Sequence, residues 1–441
     1  MTMMSPEAVT IISAFLLAVF LMIGIPVPFA FSGVTIVLIV MLGYSPDFLI
    51  PASYSKLNNL VLLCIPLFMI AGAIIREGKI GDALIGFMEQ FIGRFKTGLG
   101  TVTVFVCGLF GAISGSSAAT QSAVGSIMAP KLKDRGYPRG VIAALLASSS
   151  VLGLLIPPSA AQILYGWSSG TSVLACFLAT IVPGIIVATL FCIVQHFQVR
   201  NLKSINEVVR TPLDMSPGAV AKRTGKALPA LFMPVIILGG IYSGMFTTME
   251  AAAIAVFYCI PVAIWVYRGL KFNRLGATLA EAGAGTGAVM MMLMSCQIFA
   301  RILTTERVPD MLLEKVTGIT DSSIIIILLI NLVMIILGML MDDGSAILLS
   351  TPLLLPIAQA IGIDPVHYAA IMGVNLGMGL VTPPAAPMLF LGAQVAKSPV
   401  AEAIKPTLQY VVFAWLPTLL LVTFIPEISL TLPGIILGYG H

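Results

Sequence analysis

The sequence predicts an all-α, polytopic membrane protein built from two inverted-topology repeats, and three observations support this fold class. The first is composition: 58% of the 441 residues are hydrophobic and 10% are charged, whereas a soluble protein carries about 25% charged residues. Apolar runs near the roughly 20 residues that span a bilayer recur along the chain. Because these runs lack the alternation of apolar and polar residues found in barrel strands, they predict helices.

The second observation is an internal repeat. The segment LLIPPSA, which contains Pro157, resembles LVTPPAA, which contains Pro383, and these prolines are 226 residues apart. The same separation relates further pairs: Pro130 and Pro356, Gly136 and Gly362, Gly153 and Gly379. We therefore predict two similar halves, 1–198 and 229–441, joined by a polar cytoplasmic linker at 199–228.

The third observation is the distribution of basic residues. With an odd number of crossings in each half, 19 of the 23 Lys and Arg fall on one side of the membrane. The positive-inside rule makes that side cytoplasmic, so both termini are predicted to face away from the cytoplasm. The first ten residues, MTMMSPEAVT, contain no Lys or Arg, so we expect a retained first helix rather than a cleaved signal peptide. The exceptions on the sparsely charged side are Lys56, Arg301, Arg307 and Lys315.

Each half is predicted to begin with three apolar helices, at about 8–23, 27–43 and 60–78 in the first half. The stretch 79–96 mixes apolar and charged residues, which is typical of a helix at the membrane interface. The next run, 97–130, is too long for one crossing and is interrupted by SGSS, so it predicts a re-entrant hairpin with its tip near mid-membrane.

A helix at about 140–168, broken at IPPS, and a last helix at about 172–195 complete the first half. Each half thus has about five transmembrane helices, one of them broken, and one hairpin. The repeat places the second hairpin at about 323–356 and the second broken helix at about 366–397. The interfacial stretches and the first helices of each half are expected to frame the broken elements.

The two hairpin tips and the two breaks form the predicted ion site. Irregular backbone inside a bilayer is costly unless it is buried in protein or lines a wet cavity, and in inverted-repeat transporters such breaks bind substrates and ions. Hydroxyls, carboxylates and carbonyls freed by proline are oxygen ligands that suit a hard cation such as sodium. The candidate sodium ligands are Ser114, Gly115, Ser116, Ser117, Ile156 and Pro157 in the first half, and Asp342, Asp343, Gly344, Thr382 and Pro383 in the second.

Other interpretations of these residues stay open at this point. Asp342 and Asp343 are the only acidic pair predicted at mid-membrane, where a charge costs roughly 2.5–3.5 kcal/mol unless a cation offsets it. One of them could instead cap the helix that starts near Ser345, and the two roles are compatible. The SGSS tip could serve helix packing, and the proline pairs could be packing kinks. Arg301 is expected to extend to the interface rather than contact substrate.

The substrate is expected to meet small and polar side chains near the breaks. The candidates are Ser116, Ser117, Ser159, Asn375, Thr382 and Ala385. The six cysteines form no CxxC pair and the three histidines form no metal-spaced motif, so we predict neither an enzyme nor a metal other than sodium. The net charge of +4 gives no indication of nucleic-acid binding.

Two long motifs carry a family resemblance. GAISGSSAATQSAVGSIMAPKLKDRGY, followed by LGLLIPPSAAQILYG, resembles the large membrane (M) subunit of TRAP transporters, the tripartite ATP-independent periplasmic family of the ion-transporter superfamily. LMDDGSAILLSTPLLLP, with GIDP and NLGMGLVTPPAAP, resembles that family's C-terminal half. The resemblance implies a sodium-coupled importer of a small organic acid, such as a dicarboxylate or a sialic acid, in the bacterial inner membrane. In that membrane the side predicted above for both termini, away from the cytoplasm, is the periplasm.

The resemblance also implies partners and a mechanism. A periplasmic binding protein would deliver the substrate, and a small membrane subunit would complete the scaffold. The hairpins and broken helices would move as a transport domain against that scaffold, as in an elevator. The family's sodium sites map to the tip at Ser114–Ser117 with the break at Pro157, and to Asp342 with the break at Thr382 and Pro383.

The chain departs from the family pattern at four positions, Asp343, Gly377, Ala385 and Ala386, and these bear on the substrate more than on the mechanism. The main alternative is a stand-alone, cation-coupled carboxylate transporter of related fold that uses no binding protein. A passive channel is a further class, but it would not need two closed hairpin tips.

Overall fold

The computed structural model describes residues 5–93, 97–202, 216–320 and 322–439, and these contain helices but no strand. The helices of the first half are α1 (Pro6–Met22), α2 (Val27–Leu42), α3 (Pro46–Leu57), α4 (Cys64–Glu77), α5 (Ile80–Ile92), α6 (Gly98–Ser114), α7 (Ser117–Asp134), α8 (Arg139–Ser150), α9 (Ala160–Ser169) and α10 (Val173–Val199). Those of the second half are α11 (Pro217–Tyr242), α12 (Thr248–Pro261), α13 (Phe272–Thr305), α14 (Val308–Ile319), α15 (Ser323–Leu340), α16 (Asp343–Ala360), α17 (Pro365–Val381), α18 (Pro387–Ala396), α19 (Val400–Tyr410), α20 (Leu416–Phe424) and α21 (Glu427–Leu437).

The prediction of an all-α membrane protein is confirmed. Among the described residues, seven helices are long and apolar enough to cross a membrane. They are Leu60–Glu77, Val173–Val199, Pro217–Tyr242, Thr248–Val266, Phe272–Thr305, Ser323–Leu340 and Val400–Phe424. Shorter apolar helices, including α1, α2, α17 and α18, accompany them. Large apolar side chains such as Phe257 and Ile435 are exposed on the outer surface, as expected where lipid rather than water surrounds the protein.

The helices recur with the spacing that the prolines show in the sequence. Helix α16 starts and ends 226 residues after α7, so the segment that follows each tip has the same length in both halves. Both proline pairs, Pro157–Pro158 and Pro383–Pro384, carry a cis peptide bond. The opposite orientation of the two halves in the membrane stays a prediction.

The two halves differ before the first hairpin. In the second half a single helix, α13, runs for 34 residues, whereas the corresponding chain of the first half is divided into α3 and α4. The division falls at Asn58 and Asn59, where the Asn59 side chain accepts a hydrogen bond of 2.9 Å from the amide of Val61. Such local side-chain bonds compete with helix continuation. The prediction of three apolar helices therefore missed α3, whose sequence is polar.

The predicted linker is shorter than expected. Residues 203–215 lie outside the described residues, but α11 begins at Pro217, so the end of the predicted 199–228 linker is helical. The side chain of Ser216 caps this helix by accepting a hydrogen bond from the amide of Ala219. The following helix, α12, starts with a capping box in which the side chains of Thr247 and Glu250 accept hydrogen bonds from each other's amides.

The helices form two groups, which contact each other through α5 and α6 and through α13 and α16. The first helices of both halves form one group, in which α13 contacts α2 and α4, and α12 contacts α4 and α11. The hairpins and broken helices form the other, and they interlock across the halves: α9 packs on α16, and α18 packs on α7 and α8. Each helix that follows a break therefore lies against the hairpin of the other half.

The chain ends with a helix that the sequence analysis did not predict. Helix α21 packs against α10, and the hydroxyl of Tyr439 beyond it donates a hydrogen bond of 3.2 Å to the carboxylate of Asp364. Asp364 is the N-cap of the second broken helix, α17. The six cysteines, all among the described residues, form no disulfide, and five are buried as small apolar residues.

Candidate functional site

The first hairpin turns within two residues. Helix α6 ends at Ser114, Gly115 adopts a left-handed φ of 62°, and Ser116 is the extended N-cap of α7. Glycine adopts this φ without steric cost, and a serine N-cap satisfies a free amide at the helix start; here the Ser116 hydroxyl accepts from the amide of Ala119. The residues SGSS therefore form the tip.

The first tip contacts the first break directly. The carbonyl of Gly115 accepts a hydrogen bond of 3.2 Å from the amide of Ala160, which is the first residue of α9 after the IPPS segment. A Cβ placed on Gly115 would lie 3.3 Å from the carbonyl oxygen of Pro158. Deeper in the hairpin, a Cβ on Gly111 would lie 2.5 Å from the Cα of Gly153. The two segments approach backbone to backbone because these positions carry no side chain.

Two hydroxyl groups at this contact are buried without partners. Ser117 is 2% exposed and Ser159 is 0% exposed, and neither Oγ has a hydrogen-bond partner among the described residues. An unpaired buried hydroxyl costs free energy and calls for an explanation. In contrast, the Ser114 hydroxyl is paired at 3.0 Å with that of Thr120, a tip residue that the sequence analysis did not single out. Ile156 lies against α6, where a Cβ on Gly108 would meet its Cδ1 at 2.9 Å.

The second tip carries its two carboxylates in different settings. Asp342 is the N-cap of α16, and its oxygens accept hydrogen bonds from the amide of Ser345 at 3.2 Å and from the Ser345 hydroxyl at 2.6 Å. Asp343, the first residue of α16, accepts one hydrogen bond from the amide of Gly344 at 3.0 Å. The interpretation of one aspartate as a helix cap thus fits Asp342, and it leaves Asp343 with an oxygen that makes no hydrogen bond to the described residues.

The second hairpin packs on the second break in the same way as the first hairpin packs on the first break. A Cβ on Gly379 would lie 2.8 Å from the Cα of Gly338. Thr382, three residues further along, ends α17 and donates its hydroxyl to the carbonyl of Met378 at 2.6 Å. Among the described residues no hydrogen bond joins the second tip to Thr382 or Pro383, and the ion site predicted from them stays a prediction.

The second tip instead contacts the helix that follows the first break. A Cβ on Gly344 would meet Leu164 of α9 at 3.4 Å and Met292 of α13 at 2.8 Å. Leu164 is five residues after Ser159, so about one and a half helical turns of α9 separate the two candidate ion sites. The two sites are neighbours in the fold although their tips are far apart in sequence.

Asn375 is placed in a buried chain of side-chain amides. Its Nδ2 donates to Oδ1 of Asn331 at 2.9 Å, and Asn331 in turn donates to the hydroxyl of Thr423 at 3.1 Å. These bonds join α17 to α15 and α20, and Asn375 is fully buried. Its predicted substrate contact is therefore not supported by an open position, while Ala385 lies in the half-buried turn after the second proline pair.

A polar cavity of about 150 Å³ lies beside the first tip. Ser114 and Ser116 line it from the tip, and Arg76 of α4 and Glu281 of α13 line it from the other group of helices. Arg76 and Glu281 form an ion pair of 2.8 Å. This pair is not visible in the sequence, because Arg76 looks like an ordinary basic residue after an apolar run and only the fold brings α13 beside it.

Comparison with known proteins covers nearly the whole chain. Residues 14–428 match the family model described as "Tripartite ATP-independent periplasmic transporter, DctM component". The chain belongs to this family. This TRAP permease is 37% identical over 377 residues to the C4-dicarboxylate TRAP transporter large permease protein DctM of Pseudomonas aeruginosa, covering 86% of this chain and 87% of that protein.

Further relatives of the permease differ in the substrate that their names state. It is 30% identical over 421 residues to the sialic acid TRAP transporter large permease protein SiaM of Vibrio cholerae, covering 95% of this chain and 97% of that one. Among solved structures, the Alcanivorax borkumensis YdaH transporter matches 90% of both chains with a TM-score of 0.61 and 13% identity, which shows a shared fold.

Membership of this family determines the class of the protein and the kinds of partner it has. The permease is a membrane component of a transporter and not an enzyme. A tripartite periplasmic transporter family implies a small membrane subunit and a periplasmic binding protein as its partners.

Proposed function

We propose that this TRAP permease is a sodium-coupled importer of a small organic acid. The observation that carries the proposal is the pair of buried, unpartnered hydroxyls of Ser117 and Ser159 where the first tip meets the first break. A sodium ion there would accept both oxygens as ligands, and the carbonyls near Pro157 would add more. The donors present are all oxygens, and hard cations prefer such ligands.

A second sodium would bind at the second tip. Asp342 and Asp343 bring negative charge there, and a bound cation offsets the cost of holding carboxylates in the membrane. Gly338 lies three residues before the tip and Gly379 three residues before Thr382, and the two glycines are in close contact. A small rearrangement would therefore add oxygens of Thr382 and Pro383 to the site. The first site is neutral and the second is acidic, so they would hold sodium with different strength.

The substrate would be a carboxylate held between the two groups of helices. The cavity beside the first tip offers the hydroxyls of Ser114 and Ser116 and the guanidinium of Arg76, and guanidinium groups bind carboxylates with two parallel hydrogen bonds. The names of the relatives state C4-dicarboxylate and sialic acid, both of which are acids. These names support an organic acid here as well.

The transport step we propose is an elevator movement in the bacterial inner membrane. The hairpins and broken helices interlock across the halves, so they would move together against the frame formed by the first helices of each half. The basic residues favour a cytoplasmic linker and periplasmic chain ends. An inverted arrangement of the halves would let the first hairpin open from the cytoplasm and the second from the periplasm.

A small membrane subunit would pack on this frame, and a periplasmic binding protein would deliver the acid. A longer relative supports the first partner: the isethionate TRAP transporter permease protein DctMQ of Oleidesulfovibrio alaskensis is 34% identical, and this chain covers 65% of it. The rest of that protein is additional sequence, which would supply the small membrane subunit within the same chain. The alternative, a stand-alone carboxylate transporter, would need neither partner.

Uptake into proteoliposomes tests the proposal. Vesicles containing the permease and its small subunit should accumulate a radiolabelled dicarboxylate when binding protein and an inward sodium gradient are both supplied. An equal potassium gradient should give no accumulation. Uptake that is indifferent to sodium would refute the coupling, and sodium-driven uptake without binding protein would favour the stand-alone alternative.

A further inference from the structure

A second polar cavity of about 150 Å³ lies at the opposite end of α13 from the cavity beside the first tip. Arg301 lines it, whereas Glu281, 20 residues earlier on the same helix, lines the other. At 1.5 Å per residue the two positions are about 30 Å apart along the axis, which is close to the hydrocarbon thickness of a bilayer. In the proposed topology this second cavity, the outer cavity, opens toward the periplasm.

The outer cavity concentrates positive charge. Lys56 and Arg301 both line it, and among the residues that the structure describes no aspartate or glutamate does so. These are two of the four basic residues that the sequence places on the sparsely charged side. Burial, together with the positive charge of Arg301, lowers the pKa of the Lys56 ammonium below its ordinary value. A bound anion would relieve both effects, because an opposite charge nearby favours the charged form of lysine.

Neutral groups complete a polar lining. Ser53 is 4% exposed and its hydroxyl, which lines the cavity, has no hydrogen-bond partner among the described residues. Gln297, 5% exposed, adds an amide. The Lys56 ammonium lies 5.6 Å from the ring centroid of Trp167, a cation–π contact that orients the lysine. Two cations, a free hydroxyl and an amide are the groups that bind a carboxylate through charge-assisted hydrogen bonds.

The position of the outer cavity connects it to transport. Its walls come from α3 and α13 of the frame on one side, and from Ser168 of α9 and Pro352 of α16 on the other. Helix α9 begins at the first break, and α16 begins at the second tip. A ligand in the cavity would therefore contact both groups of helices whose relative movement we propose.

We propose that the outer cavity is a binding site for the carboxylate of the arriving acid, through Lys56 and Arg301, before that acid reaches the hairpin tips. The proposal rests on the function proposed above, because it takes the transported acid as its ligand. It also changes the expectation for Arg301, which the sequence analysis assigned to the membrane interface. A lipid phosphate is the other source of an anion at this depth, and the test separates the two.

Thiol labelling measures the charge of the cavity without any transport. Ser168→Cys places a thiol in the cavity wall, and the unsubstituted chain, whose cysteines are buried or half-buried, gives the background. The full chain is reconstituted in phosphatidylcholine vesicles without sodium and labelled with an anionic or a cationic methanethiosulfonate. We expect the anionic reagent to react faster than the cationic one. K56Q or R301Q should lower the ratio of the anionic to the cationic rate about tenfold, because each positive charge speeds the anionic reagent and slows the cationic one. Thr304→Cys, in the same lining, replaces Ser168→Cys if that variant does not fold.

Succinate serves as the probe ligand. It should slow labelling of Cys at position 168, and K56Q or R301Q should raise the half-protecting concentration at least about tenfold. Arg307→Gln and Lys315→Gln are matched controls, because they remove basic residues of the same side that do not line the cavity, and they should change nothing.

Three results would overturn the proposal. One is a rate ratio that stays unchanged in both K56Q and R301Q. Another is protection by succinate no greater than that by potassium chloride of equal ionic strength. The third is protection by added phosphatidylglycerol but not by succinate, which would make the cavity a lipid site. None of these readouts depends on sodium coupling, so failure of the coupling and failure of this site are distinguishable.

Discussion

The amide of Ala160 donates a hydrogen bond of 3.2 Å to the carbonyl of Gly115, and this bond joins the end of the first break to the tip of the first hairpin. The same two segments touch again at Gly111 and Gly153. These two contacts hold the tip against the break, and the side chains of Ser117, just after the tip, and Ser159, just before Ala160, are both buried. Substitutions that separate the segments should therefore affect ion binding before they affect the rest of the fold.

Replacing Gly111 with alanine should separate the tip from the break. The added Cβ would lie 2.5 Å from the Cα of Gly153. This Cα is a backbone atom, so it cannot move aside by a change of rotamer as a side-chain atom can. Overpacking of this kind costs about 1–3 kcal/mol, more than the roughly 1 kcal/mol that alanine gains over glycine in a helix. We expect a lower melting temperature in detergent and loss of sodium-driven uptake.

Gly239→Ala is the matched control for this variant, because Gly239 lies in α11 with no atom within 4 Å of its added Cβ. It should melt at the same or a higher temperature and transport normally. A Gly111→Ala protein as stable and active as that control would mean that the close approach is not needed.

Ser117→Ala and Ser159→Ala should have opposite effects without and with sodium. Without sodium, each removes a buried hydroxyl that has no partner, so the melting temperature should stay the same or rise. With sodium, the ion stabilises the native chain in proportion to its affinity, and loss of one ligand should raise the half-saturating sodium concentration about tenfold. Melting curves over a sodium series, with potassium as reference, measure both effects.

Ser150→Ala provides the comparison for the serine variants. Ser150 is equally buried, but its hydroxyl donates to the carbonyl of Ala147 at 3.0 Å. Its loss should lower the melting temperature slightly and leave the sodium response unchanged. If the Ser117 and Ser159 variants respond to sodium like the unsubstituted chain, the first sodium site is not at this contact.

Local sequence chemistry predicted the hairpin tips well. The residues SGSS contain a glycine that tolerates a left-handed φ and a serine that caps a helix, so the turn is encoded where it occurs. Asp342 could be expected as a cap for the same reason. Composition and the apolar runs predicted the all-α membrane fold, and the family resemblance is confirmed by the match over residues 14–428.

Features that depend on distant contacts could not be predicted. The ion pair of Arg76 and Glu281 joins residues 205 positions apart, and no periodicity in the sequence relates them. Likewise, Lys56 and Arg301 meet only because α3 packs beside α13. The polar helix α3 was missed because apolar runs were the signal used to find helices, and its sequence, PDFLIPASYSKL, is not an apolar run.

The two aspartates of the second tip should respond differently to substitution. Both oxygens of Asp342 accept hydrogen bonds from Ser345, whereas Asp343 accepts one bond, from Gly344. Asp342→Ala should lower the melting temperature, because loss of an N-cap costs about 1 kcal/mol. Asp343→Asn should leave it nearly unchanged without sodium but raise the half-saturating sodium concentration for uptake about tenfold or more.

Asp342→Asn separates the two roles of Asp342, since asparagine caps a helix about as well as aspartate does. It should keep the melting temperature and change the sodium dependence less than Asp343→Asn. The reverse order would assign the ion to Asp342, and unchanged sodium dependence in all three variants would remove the second site from the proposal.

The two residues of the ion pair beside the first tip should have opposite effects on substrate binding. Arg76 and Glu281 line the same cavity as Ser116. The carboxylate oxygen Oε1 of Glu281 lies 2.8 Å from the guanidinium nitrogen Nη2 of Arg76. A substrate carboxylate that binds Arg76 must compete with Glu281 for this edge. Arg76→Gln should therefore raise KM for uptake about tenfold with little change in kcat, while Glu281→Gln should lower KM.

Opposite signs distinguish this role from a structural one. An exposed ion pair stabilises a protein by about 0–1 kcal/mol, and breaking it from either side would have the same effect. Lys131→Gln is the control, because it breaks an ion pair of equal length, with Glu89 at 2.8 Å, that does not line the cavity. It should leave KM unchanged. If Arg76→Gln and Glu281→Gln shift KM in the same direction, the pair only joins α4 to α13, and the carboxylate must be bound elsewhere.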